Sequence, residues 1–424
     1  MSSFISTLRR LQLLAGLAFL GTLRAEPAPE PAASAKALTN LTAWLGIAHE
    51  QRPGLAESAF ARVPLTKETA ARASKLLWED HTAFLRATRA AELAAKAIRI
   101  GERELKFETV AFGKKEEAPA GGRSLFLSLH GGGSGPAAMN DGQWRNQVQL
   151  AKTYHPTEGL YVAPRGPTNT WNLWHEAHID PLFDRLIADL VALEGVNPNR
   201  VYVLGYSAGG DGVYQLAPRM ADRWAAAAMM AGHPNEASPL GLRNVPFAIQ
   251  VGANDGAYKR NEVAAEWGKK LDALQKDDAD GYTHFTELHA GKGHWMDLED
   301  RKAIPWMEKF TRNPRPDRLV WFQDDVLHFT SYWLAVPPDT ARAGQEIRAE
   351  RHGQTIAVTA KDVPQVLVRM SDAMLDLDAP VTVRTGEKQL FAGRVPRTIA
   401  TLARTLAERG DPELMFSAEI AVRP

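Results

Sequence analysis

Cysteine is absent from the 424 residues. That absence removes disulfide bridges, thiolate metal sites, iron–sulfur clusters, a cysteine nucleophile and a lipid-modified N-terminal cysteine. A catalytic nucleophile therefore has to be Ser, Thr, Asp, Glu or Lys. Excess charge of either sign is absent too, since 50 Lys and Arg balance 50 Asp and Glu. Nucleic-acid and anionic-membrane binders draw affinity from surplus basic side chains, so neither partner is expected. Internal repeats and low-complexity tracts are missing as well, which sets aside solenoids and disordered arrays. What remains, at 45% hydrophobic residues, is a globular chain of two or three domains, large enough to bury a core without disulfides.

The chain begins like an export signal. Arg9 and Arg10 precede an apolar run from Leu11 to Leu23, followed by Arg24-Ala25 and a Pro/Glu-rich stretch. This is a charged region, an apolar region and a small residue at the cut, which predicts cleavage after Ala25, residues 1–25 as the signal peptide, and a secreted or periplasmic mature protein. The run is short of the about 20 residues a bilayer span needs, so no stable membrane span is expected after cleavage.

Residues 26–104 read as a helical N-terminal segment, with helices over Leu38–Ala48 and Lys67–Ile100; Leu77, Phe84, Ala91 and Ile98 recur at heptad spacing, and Thr66 is a candidate cap. Residues 105–312 change pattern. Apolar runs at Leu125–Leu129, Gly159–Ala163, Val201–Leu204, Ala225–Met230, Phe247–Val251 and Thr283–Leu288 alternate with amphipathic segments. This predicts an α/β domain, a mostly parallel sheet with helices on both faces. After the linker Asn313-Pro314-Arg315-Pro316, residues 313–424 read as a small antiparallel β module ending in a helix over Thr398–Arg409. Trp321, Phe322, Phe329, Tyr332 and Trp333 are too many aromatics for so short a stretch to leave in water, so the module is expected to pack on the preceding domain rather than hang free as a polymer-binding unit.

The chemistry lies at the ends of these runs. Gly205-Tyr206-Ser207-Ala208-Gly209 follows the strand Val201–Leu204 and opens a helix, a context in which G-x-S-x-G places a serine on a strained strand-to-helix turn. His130-Gly131-Gly132-Gly133 follows Leu125–Leu129, leaving backbone N–H groups free for an oxyanion; the donors expected are Ala208 and Gly132 or Gly133, with His130 structural. Asp255 and His294 follow two later strands, in the order serine, acid, histidine. Among 12 His, position selects His294 over His289, and Asp297 and Asp180 lack the preceding strand that favours Asp255. His175-Glu176-Ala177-His178-Ile179-Asp180 lacks the spacing of a helical zinc site and is expected to be a polar rim; no metal and no cofactor are predicted. Asp211, in the first turn after Ser207, is expected to point away from the site and bond to a neighbouring loop, because a carboxylate facing it would oppose an oxyanion.

Residues from about Leu105 to Phe310, half the chain, resemble an α/β-hydrolase. The runs His130-Gly-Gly-Gly, Gly-Tyr-Ser-Ala-Gly-Gly, Asn-Asp-Gly and Gly-His-Trp are similar to those of the secreted poly(3-hydroxybutyrate) depolymerase and feruloyl-esterase-like branch. The resemblance implies carboxyl-ester hydrolysis through an acyl-enzyme, with Ser207 as nucleophile, His294 as base and Asp255 as its orienting acid, on a small-molecule or polymeric ester. The helical N-terminal segment and the C-terminal module depart from it. Trp144, Trp171, Trp174 and Trp295, together with Tyr206, are the candidate substrate-binding residues, as loop aromatics able to stack on a sugar or aromatic acyl group. Two other readings stand beside the esterase: a peptidase of prolyl-oligopeptidase type, which shares the triad order but carries a large propeller that residues 26–104 are too short to form, and a non-catalytic binding protein on a hydrolase scaffold.

Overall fold

The structure, a computed structural model, describes residues 29–114 and 117–424. The expected signal peptide lies outside the described residues. Helix α1 (Pro31–Leu45) and the long α2 (Lys67–Ala95) come first. Thr66 caps α2 by accepting from the Thr69 N–H. The second helix stops five residues before the expected Ile100: Lys96 turns left-handed at φ 52° and Ala97–Ile100 forms strand β1 instead. Ile98 and Ile100 flank Arg99, an alternation that suits an edge strand, and β1 pairs antiparallel with β2 (Arg103–Phe112). The sheet thus begins inside the segment expected to be wholly helical.

Six further strands complete it: β3 (Arg123–Leu129), β4 (Gly159–Arg165), β5 (Val196–Tyr206), β6 (Ala226–Met230), β7 (Phe247–Gly252) and β8 (His284–His289). Their order is β1-β2-β4-β3-β5-β6-β7-β8, with β3 to β8 parallel to their neighbours and β1 and β2 antiparallel at one edge. This is the mostly parallel, helix-covered α/β sheet that the sequence predicts. The central strands are buried on both faces, and period-two alternation divides each between two cores. Leu125, Leu127, Val201 and Val203 enter one core with α4 (Ile179–Glu194), α5 (Ala208–Arg219) and α6 (Arg260–Asp277). Phe126, Tyr202 and Leu204 enter the other with α3 (Ala137–Tyr154) and α7 (Ala303–Met307).

The C-terminal region forms two small sheets. One is β10 (Thr330–Ser331), β11 (Leu334–Ala335), β14 (Val366–Met370) and β17 (Ala418–Val422); the other is β16 (Lys388–Gly393), β15 (Val381–Thr385), β13 (Thr355–Lys361), β12 (Glu346–His352) and β9 (Arg318–Phe322), each in spatial order. All pairs are antiparallel except β13 with β15. Helix α8 (Ile399–Arg409) lies between β16 and β17 in sequence and packs against α1 and α2 through Leu402, Leu406, Leu41 and Leu77. The N-terminal helices thereby tie the two ends of the chain together.

The module does not hang free. Leu319, Trp321 and Trp333 belong to the same apolar cluster as Leu216 and Trp224 of the α/β domain. A buried set of ions crosses the joint: Arg409 pairs with Asp222 at 2.6 Å and Arg312 with Asp411 at 2.8 Å, while Arg223 donates to the Arg409 carbonyl at 2.8 Å and lies 3.9 Å from Asp411. The Tyr332 hydroxyl donates to the Ala221 carbonyl. The linker itself is held, because the Trp333 indole donates to the Pro316 carbonyl and Arg315 pairs with Glu413. Asp180, expected in a polar rim, is also buried here, between Arg219 at 2.5 Å and His328 at 2.7 Å. A carboxylate can be buried only when ions and hydrogen bonds replace its water, and the Arg219 guanidinium together with the hydrogen bond to His328 supplies that.

Candidate active site

Strand β5 ends in Tyr206, and α5 starts at Ala208, so Ser207 occupies the turn alone, at φ 58° and ψ −121°. This conformation is strained for a residue with a side chain. It persists because the surroundings leave no alternative: the Ser207 N–H donates to the Met230 carbonyl, and the neighbouring glycines admit backbone where a Cβ would collide. A Cβ on Gly209 would sit 2.1 Å from the Leu129 carbonyl oxygen, and one on Gly205 would sit 2.2 Å from that of Gly209. Helix α5 can therefore press onto the end of β3 and bring Ser207 beside the His130–Gly133 loop.

The acid and the base come from two loops locked to each other. Asn254 N–H donates to the Lys292 carbonyl and Ala253 N–H to that of His289. The approach is so close that a Cβ on Gly252 would meet the Gly293 oxygen at 2.0 Å. The result is a continuous line of hydrogen bonds. Asp255 Oδ2 lies 2.8 Å from His294 Nδ1, and His294 Nε2 lies 3.0 Å from Ser207 Oγ. Asp255 is buried, and the imidazole is partly open to solvent. Tyr206 fixes the histidine loop from below, its hydroxyl donating to the His294 carbonyl and accepting from the Met296 N–H. Burial pushes that phenol above its ordinary range, so it stays protonated.

His289, the alternative base, lies away from Ser207, buried between Gln250 Oε1 at 2.8 Å and Glu299 Oε2 at 3.1 Å. Asp297 pairs with Lys292. His130 is buried with its Nε2 accepting from the Gly166 N–H; desolvation lowers it to about 4, so it is neutral. Its carbonyl accepts from the Trp174 indole at 2.8 Å.

The two glycine donors expected as alternatives are not equivalent. The Gly133 N–H is already spent on Asn140 Oδ1 at 2.7 Å. Gly132 N–H has no partner among the described residues, and that of Ala208, first in α5, has no intrahelical acceptor. These two flank the space above Ser207 Oγ. Asn140, fully buried at the start of α3, was not among the residues singled out from the sequence; nothing in the motif spacing marks it.

The candidate substrate aromatics divide. Trp174 is fully buried in the core, and Trp144 packs on the α3 side with its indole donating to the Ala163 carbonyl at 2.9 Å. Neither lines the cleft, because each N–H reaches a backbone carbonyl and the ring is then free to be buried. Trp171 is 56% exposed and Trp295 50%, and both flank Ser207, as does Tyr206. The cleft has two lobes that meet at Gly132 and Ser207. One, of about 660 Å³, runs along α3 past Gln143, Asn146, Leu150 and Thr153, with Tyr206, Trp295 and Leu298 opposite. The other, of about 390 Å³, is bounded by Trp171, Asp211, His233, Tyr258 and Arg260. A larger cavity of about 810 Å³ between α4 and the C-terminal module contains none of the three triad residues.

Asp211 is bonded to a neighbouring loop as expected, through the His233 N–H at 2.6 Å, but its carboxyl borders the second lobe instead of turning away. Burial raises it to about 6 against the partial relief given by that N–H. His175 is likewise lowered to about 4, first by burial and then by Arg219. Among the described residues no three His, Asp or Glu are grouped to hold a metal, and no helix is long and apolar enough to cross a membrane.

A scan against protein-family models finds no match, and a search of curated proteins finds none. Several solved structures are similar. A thermostable esterase shares 19% identity over 51% of this chain at a TM-score of 0.39, and the match spans 62% of that esterase. Esterase PE8 shares 20% identity over 48% of this chain and 98% of its own, at a TM-score of 0.36. LpqC, a poly(3-hydroxybutyrate) depolymerase from Bordetella parapertussis, shares 16% over 50% of this chain and 86% of its own, at a TM-score of 0.37.

Proposed function

We propose that the protein is an exported serine hydrolase that cleaves carboxyl esters through an acyl-enzyme. The observation that carries this reading is the unbroken line from Asp255 through His294 to Ser207 Oγ, ending beside two unengaged backbone N–H groups. A serine hydroxyl is a weak nucleophile until a base takes its proton. His294 Nε2 accepts that proton as Oγ attacks the ester carbonyl, while Asp255 holds Nδ1–H in the required tautomer and stabilises the imidazolium. The carbonyl oxygen becomes an oxyanion between the N–H groups of Ala208 and Gly132. His294 then protonates the departing alkoxide, the alcohol leaves, and water activated by the same imidazole releases the acid. The export part of the proposal rests on Arg9, Arg10 and the run Leu11–Leu23.

The test is labelling by a fluorophosphonate together with turnover of p-nitrophenyl acetate. Ser207→Ala is expected to abolish labelling and to lower turnover by several orders of magnitude, leaving roughly 10³-fold over water from binding and the oxyanion donors. Undiminished labelling of that variant would put the nucleophile elsewhere. N-terminal sequencing of secreted material should begin near Glu26; retention of Arg9 and Arg10 would contradict export by cleavage.

A further inference from the structure

The five residues after Asp255 do more than leave the triad. Tyr258 and Lys259 are consecutive non-glycine residues in the left-handed region, at φ 54° and 56°, before α6 begins at Arg260. Two adjacent strained residues cost stability and persist where the conformation serves something else. Here the turn directs Tyr258 and Arg260 into the smaller lobe, next to Ser207, Ala208 and Gly132. Tyr258 is left 78% exposed, and Trp171 across the lobe is 56% exposed. Two large aromatics held in water around one small cavity mark a surface built to be covered.

Arg260 is the cation of this lobe. Its guanidinium stacks over the Tyr258 ring at 4.8 Å, and one of its terminal nitrogens donates to the Ala257 carbonyl at a long 3.3 Å. Its Nε is buried with no acceptor, and the side chain forms no ion pair among the described residues. Many other buried and half-buried arginines are ion-paired, among them Arg219 with Asp180, Arg243 with Asp278 and Arg397 with Asp372. Arg123, Arg384 and Arg394 have no ion pair among the described residues either, but of the unpaired arginines Arg260 is the one that borders Ser207. An unpaired guanidinium in a cleft, with donors unspent, is an anion receptor, and its planar fork matches a carboxylate. The other titratable groups facing the lobe are His233 and Asp211. Asp211 has one oxygen committed to the His233 N–H and is not in ion-pair contact with Arg260.

We propose that the smaller lobe selects esters bearing a free carboxylate near the scissile bond, with Arg260 as the residue that reads it and Tyr258 and Trp171 as the walls around it. The inference rests on the reading of Ser207 as the nucleophile. It leaves the larger, amide-lined lobe along α3 for the uncharged remainder of the substrate.

Two matched pairs of substrates test it, one for each side of the ester. Monomethyl succinate against methyl butyrate carries the carboxylate on the acyl group; 4-acetoxybenzoate against phenyl acetate carries it on the alcohol. For each pair the ratio of kcat/KM, anionic over neutral, is measured in the wild type, Arg260→Gln and Arg260→Lys. In at least one pair the ratio is expected to fall about tenfold or more in Arg260→Gln, since a hydrogen bond to a charged group is lost, and to fall less in Arg260→Lys, which keeps the charge without the fork. The pair that responds identifies which side of the ester enters the lobe. Ratios unchanged by Arg260→Gln in both pairs, in a protein whose Ser207 still reacts with a fluorophosphonate, would overturn the proposal alone. A wild type that does not react at Ser207 would overturn the hydrolase reading and this inference with it.

Discussion

Asn140 is the residue whose replacement separates positioning from folding most clearly. Its Oδ1 accepts from the Gly133 N–H at 2.7 Å, and its Nδ2 makes two longer contacts, at 3.4 Å, to the carbonyls of Gly135 and Pro136. It is fully buried, so no water stands ready to replace it. Asn140→Ala leaves the half-buried Gly133 donor without its protein acceptor, at a cost of at most about 1–3 kcal/mol in stability. The loop that carries Gly132 also loses its anchor at the adjacent peptide. Complete loss of an oxyanion donor costs about 10²–10³ in kcat; a donor that is displaced rather than deleted should cost about 10- to 100-fold, mostly in kcat, because the ground-state carbonyl depends on it less than the oxyanion does. Asn140→Asp provides the contrast. It keeps an acceptor for Gly133 but brings negative charge close to the developing oxyanion, so it should retain more of the thermal stability than Asn140→Ala while recovering little of the rate. Thermal unfolding and steady-state kinetics on p-nitrophenyl acetate read the two quantities separately. A stably folded Asn140→Ala with kcat within threefold of the wild type would refute the idea that this side chain sets the oxyanion loop.

Asp211→Asn should stabilise the protein at neutral pH. The carboxyl binds its proton more tightly in the folded state, rising from 3.8 to about 6, so its ionisation costs stability that is absent below about pH 4, grows as pH rises through about 6, and amounts to at most about 3 kcal/mol above that; a rise in Tm at pH 8 no larger than that at pH 4 would contradict this. His294→Ala should remove turnover by several orders of magnitude with little change in Tm, since the imidazole is partly open to solvent, whereas His289→Ala should lower stability by about 1–3 kcal/mol and keep turnover well below its Tm; the reverse pattern would reassign the base. Ending the chain after Asn313 should lower the soluble yield and Tm, because Arg223, Asp222 and the apolar surface around Trp224 lose their cover; a truncated protein that stays equally stable and active on soluble esters, yet loses binding to a polymer, would make the module a binding domain.

The convergence of Ser207, His294 and Asp255 was legible in the sequence because the turn that carries each side chain is dictated locally. A strand as apolar as Val201–Leu204 is buried on both faces, a serine between two glycines at its end has one place to go, and Asp255 and His294 each follow a strand of the same sheet. In three places a partner from another element decided the answer, and there the reading went astray. Gly132 and Gly133 look alike until Asn140 arrives from α3 to occupy one of them. Trp144 and Trp174 look like cleft aromatics until their indole N–H groups find the carbonyls of Ala163 and His130. Ala97–Ile100 continues the heptad of α2, and only the pairing with β2 makes it a strand.

Charge was the least legible property of all. A balanced count of acids and bases describes a solvated surface as readily as it describes Arg409, Asp222, Arg312, Asp411 and Arg223 buried together at one joint. These residues come from both the α/β domain and the module, so no window of sequence contains the set. Removing water from five ions is costly unless each is matched, and a matched set holds the two parts in one orientation because any other would strand a charge. Arg260 differs from the arginines of this set. Its Nε is buried without an acceptor and its side chain has no ion pair among the described residues, yet it borders the lobe that holds Ser207, and that placement becomes visible only when α6 and the turn before it are seen in three dimensions.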